Sequence, residues 1–257
     1  MMAELVIWGA GGHAKVVFDT AVAMGYTRIR FIDDCACTPA ELYGCEIAAA
    51  PVDDPKLMVG RTPWSAADAL VGLCGATHDV SARLGSRPGG RLRTRGSAPP
   101  NSSTVEFIVA IGDNRARACC YSRGLQQGWN PVTLIHPSAE VSPRSEISPG
   151  CAVLPRAVIN AGAFIGPNCI INTGAIVEHD CRIAGHAHIS PSATLGGAVQ
   201  VGAFAHVAIG ACVLPGCVIG AGSIVGAGAV VLTSIPEEVT AVGVPARILS
   251  PLKAGAR

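Results

Sequence analysis

Residues 159–188 read INAGAF IGPNCI INTGAI VEHDCR IAGHAH, five consecutive blocks of six that each open on an aliphatic residue and carry a small one in fifth place. The register runs unbroken from Ile135 to the block opened by Val231, seventeen hexads in all. A period of six is neither the 3.6 of a helix nor the 2 of an ordinary strand. It is the period of a parallel β-helix, in which each short strand buries its opener and the chain turns a corner before the next strand. One coil cannot bury its own apolar side, so stacked coils share a continuous aliphatic core, with small residues in the cramped corners. Gly, Asn, Asp and Pro cluster between openers, as in Ile165-Gly166-Pro167-Asn168, where corners need permissive backbone.

The fifth places include Cys151, Cys169, Cys181 and Cys217, which read as small buried hydrophobes. The eleven cysteines form no Cys-x-x-Cys pair and no secreted-scaffold spacing, so a reduced, cytoplasmic protein without structural zinc is expected. A net charge of +1 points to neither nucleic acid nor an anionic membrane, and 4 % aromatic residues leave no base-stacking platform. From Ile183 to Pro236 there is no Asp, Glu, Lys or Arg, but Gly and Pro locked to the hexad period argue against a membrane span. The N-terminus shows no charged leader followed by a cleavable apolar run, so no targeting segment is expected.

Upstream of the hexads the chain reads as a small α/β unit. Strands are predicted over 4–8, 28–32 and 105–111, and helices over 13–24 and 115–127. Strands alternating with helices imply a parallel sheet whose ligands sit at the carboxyl ends of its strands. Between the two halves of this unit, roughly Met58 to Thr104, Arg87, Arg91, Arg93 and Arg95 lie among Gly, Ser and Pro without apolar periodicity, the composition of a mobile insertion. A short apolar run, Ala66 to Cys74, is read as a helix or strand of its own. The division is therefore a Rossmann-like domain over 1–134 and a β-helix with its tail over 135–257.

Gly9-Ala10-Gly11-Gly12-His13-Ala14 joins strand to helix in the G-x-G-x-x-A form of the dinucleotide fingerprint, and Asp33-Asp34 follows the next strand where a ribose hydroxyl is read. Backbone N–H groups at the helix start favour a phosphate, so a nucleotide-containing ligand is expected. In Val177-Glu178-His179-Asp180-Cys181 three polar residues occupy one corner without changing its length, placing a histidine outward as a candidate general base beside a carboxylate. His179 and Gly197, like His188 and His206, are 18 residues apart. On a three-sided coil each pair stacks. A metal reading of the His188/His206 pair lacks a third ligand at that offset, and the lining of a groove is preferred.

The chain resembles the bacterial hexapeptide-repeat sugar acyltransferases with an N-terminal nucleotide-sugar-binding domain, a family of nucleotide-amino-sugar N-acetyltransferases and sialic acid O-acetyltransferases. The resemblance rests on Gly-x-Gly-Gly-His, Asp33-Asp34, Ala110-Ile111-Gly112-Asp113-Asn114, Ile135-His136-Pro137, Glu178-His179-Asp180-Cys181, His188-Ile189-Ser190-Pro191 and Val242-Gly243-Val244-Pro245-Ala246. It implies a left-handed β-helix, a homotrimer with active sites between subunits, and acetyl-CoA as cosubstrate without a metal. It implies His179 as general base in a direct transfer, supported by Asp180, where relatives often carry the longer Glu. It places Gly11, Gly12, His13, Asp33, Asp34 and Gly112 on the nucleotide sugar, and His188, Gly197, Ile209, Gly226 and Ala227 on the coenzyme. Cys181 as a covalent nucleophile is disfavoured because its register points inward. An N-acetyltransferase of a nucleotide-linked amino sugar is the leading expectation; O-acetylation of sialic acid and a non-catalytic NAD-binding trimeric scaffold stay open at this level.

Overall fold

The computed structural model describes residues 4–34, 41–49 and 105–251. The insertion over 58–104 and the run over 66–74 lie outside them. The N-terminal unit is a six-stranded sheet in the order β3-β4-β2-β1-β5-β6, formed by β1 (Leu5–Trp8), β2 (Ile29–Asp33), β3 (Glu41–Leu42), β4 (Cys45–Ala49), β5 (Glu106–Val109) and β6 (Asn130–Pro131). Only β3 pairs antiparallel. Helix α1 (Gly12–Ala23) covers one face with Val17, Phe18 and Ala21, and α2 (Asn114–Gln126) covers the other with Cys120 and Tyr121. The central strand β1 is buried along its whole length, as a strand covered on both faces must be.

The sequence reading omitted β3 and β4. Both are short, and their turn, Tyr43-Gly44 with φ of 51° and 77°, carries one glycine where the hairpin signal usually has two turn formers. The other predicted elements are present with ends shifted by one or two residues; β5 is the main difference, ending at Val109 rather than 111.

The hexads form seventeen two-residue strands, from β7 (Leu134–Ile135) to β23 (Val230–Val231), and the second residue of each is the opener. From β7 to β20 (Cys212–Val213) each pairs in parallel with the strand 18 residues on, as in Ala152↔Ile170 and Ile170↔His188. Three faces result. The first contains His188–Ile189, the second Ile176–Val177 and the third Arg182–Ile183. The openers from Val153 onward and the fifth-place residues from Cys151 onward are buried in one continuous core. Cys151, Cys169 and Cys181 each donate their thiol to a carbonyl 15 residues on, at 3.1 Å. The small-residue reading of these cysteines therefore holds.

Corner chemistry divides between two places in the hexad. The fourth residue has positive φ at every corner from Gly150 to Gly228, and at seven of those fourteen corners it is not glycine. The third residue uses its carbonyl, which accepts from the fourth-place N–H of the next coil, as in Ala198 N to His179 O at 2.8 Å. Its own N–H lies outside that ladder. Proline loses nothing there, and Pro137, Pro143, Pro149, Pro155, Pro167, Pro191 and Pro215 all occupy this place. After the last hexad, β24 (Val239–Val242) extends the first face and pairs antiparallel with β25 (Arg247–Pro251), ending the stack. No helix among the described residues is long and apolar enough to cross a membrane.

Candidate active site

His179 and Asp180 occupy the third and fourth places of their hexad, at the corner between the second and third faces. Asp180 adopts φ of 60°, and its Oδ2 lies 2.9 Å from His179 Nδ1. The short aspartate side chain therefore reaches the imidazole of its own neighbour in the chain. The hydrogen bond to Asp180 is the main cause that raises the His179 pKa above its ordinary value, with the charges of Asp180 and Glu178 adding to it and residual desolvation opposing. With Nδ1 on the carboxylate, Nε2 is left for a proton.

Two glycines one coil away make room for this pair. A Cβ at Gly197 would sit 2.6 Å from His179 Nε2 and Cε1, so the imidazole lies directly over the Gly197 backbone, as the 18-residue spacing predicted. A Cβ at Gly162 would collide with the Asp180 carboxylate. Gly197 holds a third-place N–H, and among the described residues that N–H has no partner. Cys181 is fully buried, and burial chiefly raises its pKa, so its thiol is turned away from this site and kept protonated.

The residues expected on the nucleotide sugar gather elsewhere. Gly9 packs against Ala110 and Ile111, with φ of 110°, so the loops that follow β1 and β5 touch. Asp33 Oδ2 accepts from Ala10 N at 2.8 Å and shapes the glycine turn. Asp34 is paired with Arg123 Nη1 at 2.7 Å, and Arg123 stacks on Trp8. Gly11, Gly12 and Gly112 remain exposed, and a Cβ at Gly11 or Gly112 meets nothing within 4 Å. His13 lies in the first turn of α1, and burial lowers its pKa to about 4, with help from Arg117. It is therefore neutral at physiological pH.

This cluster abuts the first face of the β-helix. The His13 and His188 rings are 6.3 Å apart, and His188 stacks on His206 at 4.8 Å and 8°. Asn172 Nδ2 lies 3.0 Å from His188 Nε2, and Ser190 Oγ lies 2.7 Å from His206 Nε2. His188 Nδ1 and His13 Nε2 are buried without a side-chain partner. Burial, then His206, Arg117 and His13, hold the His188 pKa well below the ordinary value. Sequence reasoning gave no role to Asn114, Arg117, Asn172 or Ser190; the motifs Ala110 to Asn114 and His188 to Pro191 contained the first and the last of these, but nothing in the spacing showed their partners.

Ile209, Gly226 and Ala227 lie on the corner between the first and second faces, Ile209 and Ala227 exposed and one coil apart. The expected residues thus fall into three groups within one chain. His179, between the second and third faces, is on the edge opposite the first face, where the loops after β1 and β5 dock.

The model of the PglD N-terminal domain matches residues 4–58. No curated protein matches the chain. Among solved structures, perosamine N-acetyltransferase from Caulobacter crescentus, in a His-to-Asn variant with CoA and GDP-perosamine, is 34 % identical over 97 % of this chain and 98 % of its own, with a TM-score of 0.72. The acetyltransferase domain of PglB from Neisseria gonorrhoeae FA1090, with acetyl coenzyme A, is 30 % identical over 97 % of this chain and 100 % of its own, with a TM-score of 0.73.

The chain belongs to the hexapeptide-repeat sugar acyltransferases.

WeeI from Acinetobacter baumannii AYE, 21 % identical over 96 % of this chain and 100 % of its own with a TM-score of 0.62, shares the fold of this chain. The hexads of this chain build a parallel β-helix, the architecture expected of that family. On this corner an imidazole held by a carboxylate, able to accept a proton, lies over a backbone N–H, able to donate a hydrogen bond to an oxyanion.

Proposed function

We propose that this acetyl-CoA-dependent acyltransferase, a sugar N-acetyltransferase, acts on the amino group of a nucleotide-linked amino sugar by direct transfer, with His179 as general base. The observation that carries the reading is the His179–Asp180 pair seated over Gly197. The sugar amine attacks the thioester carbonyl carbon, and His179 Nε2 takes its proton as the tetrahedral adduct forms. Gly197 N–H donates to the developing oxyanion. The adduct then expels the coenzyme thiolate, which recovers the proton from the imidazolium. No acyl-enzyme is needed.

Gly11, Gly12, His13, Asp33, Asp34 and Gly112 hold the nucleotide sugar in this reading. Asp33 contributes through the turn it shapes, and Asp34 through its pair with Arg123. His188, Gly197, Ile209, Gly226 and Ala227 line the coenzyme groove. The 1–134 domain supplies the acceptor and the 135–257 domain the donor. Similarity to neighbours solved with CoA and GDP-perosamine, or with acetyl coenzyme A, supports both halves. Because His179 sits on the edge opposite its own nucleotide loops, the site is completed in a homotrimer by a neighbouring subunit.

The test is an acceptor panel of UDP-, GDP- and dTDP-linked amino sugars and free sialic acid, read by thiol release from acetyl-CoA, with light scattering for the trimer. Transfer to a nucleotide-linked amine and loss of about a hundredfold or more in turnover for His179→Ala are expected. Near-normal turnover of that variant rejects His179 as the base, and transfer to sialic acid alone rejects the acceptor.

A further inference from the structure

Helix α2 lies along the corner between the third and first faces and meets it one coil at a time. Tyr121 Oη reaches Pro149 O at 3.5 Å. Arg117 Nε donates to Asn168 O at 3.0 Å, and its Nη2 donates to His186 O at 2.9 Å and Ala187 O at 3.2 Å. Asn114 Nδ2 donates to Phe204 O at 2.8 Å and Ala205 O at 3.1 Å. Asn168, His186 and Phe204 are the same positive-φ corner in three successive coils. The helix pitch of about 5.4 Å nearly equals the strand spacing of about 4.8 Å, so side chains one helical turn apart fall opposite successive coils.

Docking a helix on this edge removes the corner carbonyls from water, and buried carbonyls require donors. Arg117 and Asn114 are those donors. Arg117 also reaches the other way. Its Nη1 donates to Ile111 O at 3.0 Å and Gly112 O at 3.2 Å, in the loop after β5, and Nη2 donates to Asn114 Oδ1 at 2.7 Å. The side chain is 1 % exposed, and among the described residues no carboxylate lies within ion-pair distance. Burial lowers its pKa to about 10, which leaves it charged at neutral pH.

A buried cation among neutral oxygens is costly to desolvate, and apolar replacements of buried charges are often no less stable. What an apolar side chain lacks is the rigid planar fork that fixes two backbones at a set separation. We propose that Arg117 is a positioning residue for acetyl transfer: it sets the Ile111-Gly112 loop against the coil edge that leads through Ala187 into His188. The acceptor sugar is thereby presented in register with the acyl donor. This rests on the reading of Gly112 as part of the acceptor site.

Arg117→Met and Arg117→Lys are compared with wild type by steady-state kinetics in both substrates, with competent sites counted from the calorimetric stoichiometry of coenzyme A binding. Arg117→Met is expected to lower kcat per competent site about tenfold or more while KM for acetyl-CoA stays within about twofold, because misplacement of an otherwise intact site acts on the rate. Arg117→Lys recovers only part, since an ammonium cannot span both backbones. Unchanged kcat per competent site, or a loss explained wholly by fewer competent sites, overturns the proposal. Should Arg117→Met not fold, Asn114→Ala carries the test, with the same split expected and its absence overturning. A wild-type chain that transfers to no panel acceptor rejects the acceptor reading instead. In that event amide exchange at 111–114 decides, faster in Arg117→Met if Arg117 fixes the loop and unchanged if it does not.

Discussion

At the residue scale, the His179 corner depends on two close approaches and one carboxylate. Asp180 raises the His179 pKa through their hydrogen bond. A base acts when neutral, so with His179 as the proposed base the acid limb of kcat/KM is expected above the ordinary histidine value, with activity climbing as pH rises through it. Asp180→Asn removes that stabilisation of the protonated ring. The limb should move to lower pH while the plateau falls about tenfold or more, measured as kcat/KM from pH 5 to 9. Gly197→Ala tests the other contact: its Cβ would enter the imidazole, 2.6 Å from Nε2, so His179 must swing off the corner. Turnover should fall at least about tenfold with the urea midpoint little changed, because the ring is exposed and free to move. His179 and its glycine were legible from the sequence because an 18-residue offset is simple arithmetic on a repeat. Arg117 was not, since its six oxygen acceptors are spread from Ile111 to Ala187 and follow no period.

At the scale of elements, each hexad strand is two residues long, and from β11 (Val158–Ile159) onward the second side chain is buried while the first is exposed or half-buried, except in β13 (Ile170–Ile171) and β16 (His188–Ile189) on the first face. In Arg182–Ile183 the arginine is exposed and the isoleucine fully buried. Ile183→Ala should cost about 2–4 kcal/mol in stability from the lost transfer energy and the cavity. Arg182→Ala should stay within about 0.5 kcal/mol. Urea midpoints of the two variants check this asymmetry, and equal effects would contradict the core assignment. The corners hold a second asymmetry. Five consecutive ones, Asp180, His186, Ser192, Ala198 and Phe204, carry non-glycine residues at positive φ, each costing roughly 1–2 kcal/mol of backbone strain. Strain concentrated beside a site is consistent with side chains being needed there: Asp180 holds His179, and Phe204 stacks on His186 at 5.0 Å. The sequence showed that corners were present but not which place in the hexad turns left-handed. That choice comes from the ladder, which uses the third-place carbonyl and the fourth-place N–H.

At the scale of the whole molecule, the junction between sheet and β-helix buries neutral histidines and a charged guanidinium together. His13, His186 and His188 all have lowered pKa values, chiefly through burial. An unfolded histidine takes its proton as pH falls through about 6.5, whereas folded His13 does so only near 4. The unfolded chain therefore binds more protons in that interval, and stability falls from pH 6.5 to about 4. The His13 share is on the order of 3 kcal/mol. His179, with its raised pKa, works in the opposite sense but is exposed. Urea midpoints from pH 7.5 down to 4 should drop steeply below 6.5, and the drop should shrink in His13→Asn. By itself the sequence determined the β-helix, its register, the inward cysteines and the pairing of His179 with Gly197. Those features repeat along the chain, and burial of one aliphatic residue in six leaves little choice of register. Only the tertiary structure decided where the N-terminal unit docks, and hence that His13 meets His188 while His179 lies on the opposite edge. Docking depends on α2 satisfying three buried corner carbonyls through Arg117 and Asn114, contacts between residues of no common period. Such contacts exist only once helix pitch and coil spacing are brought side by side.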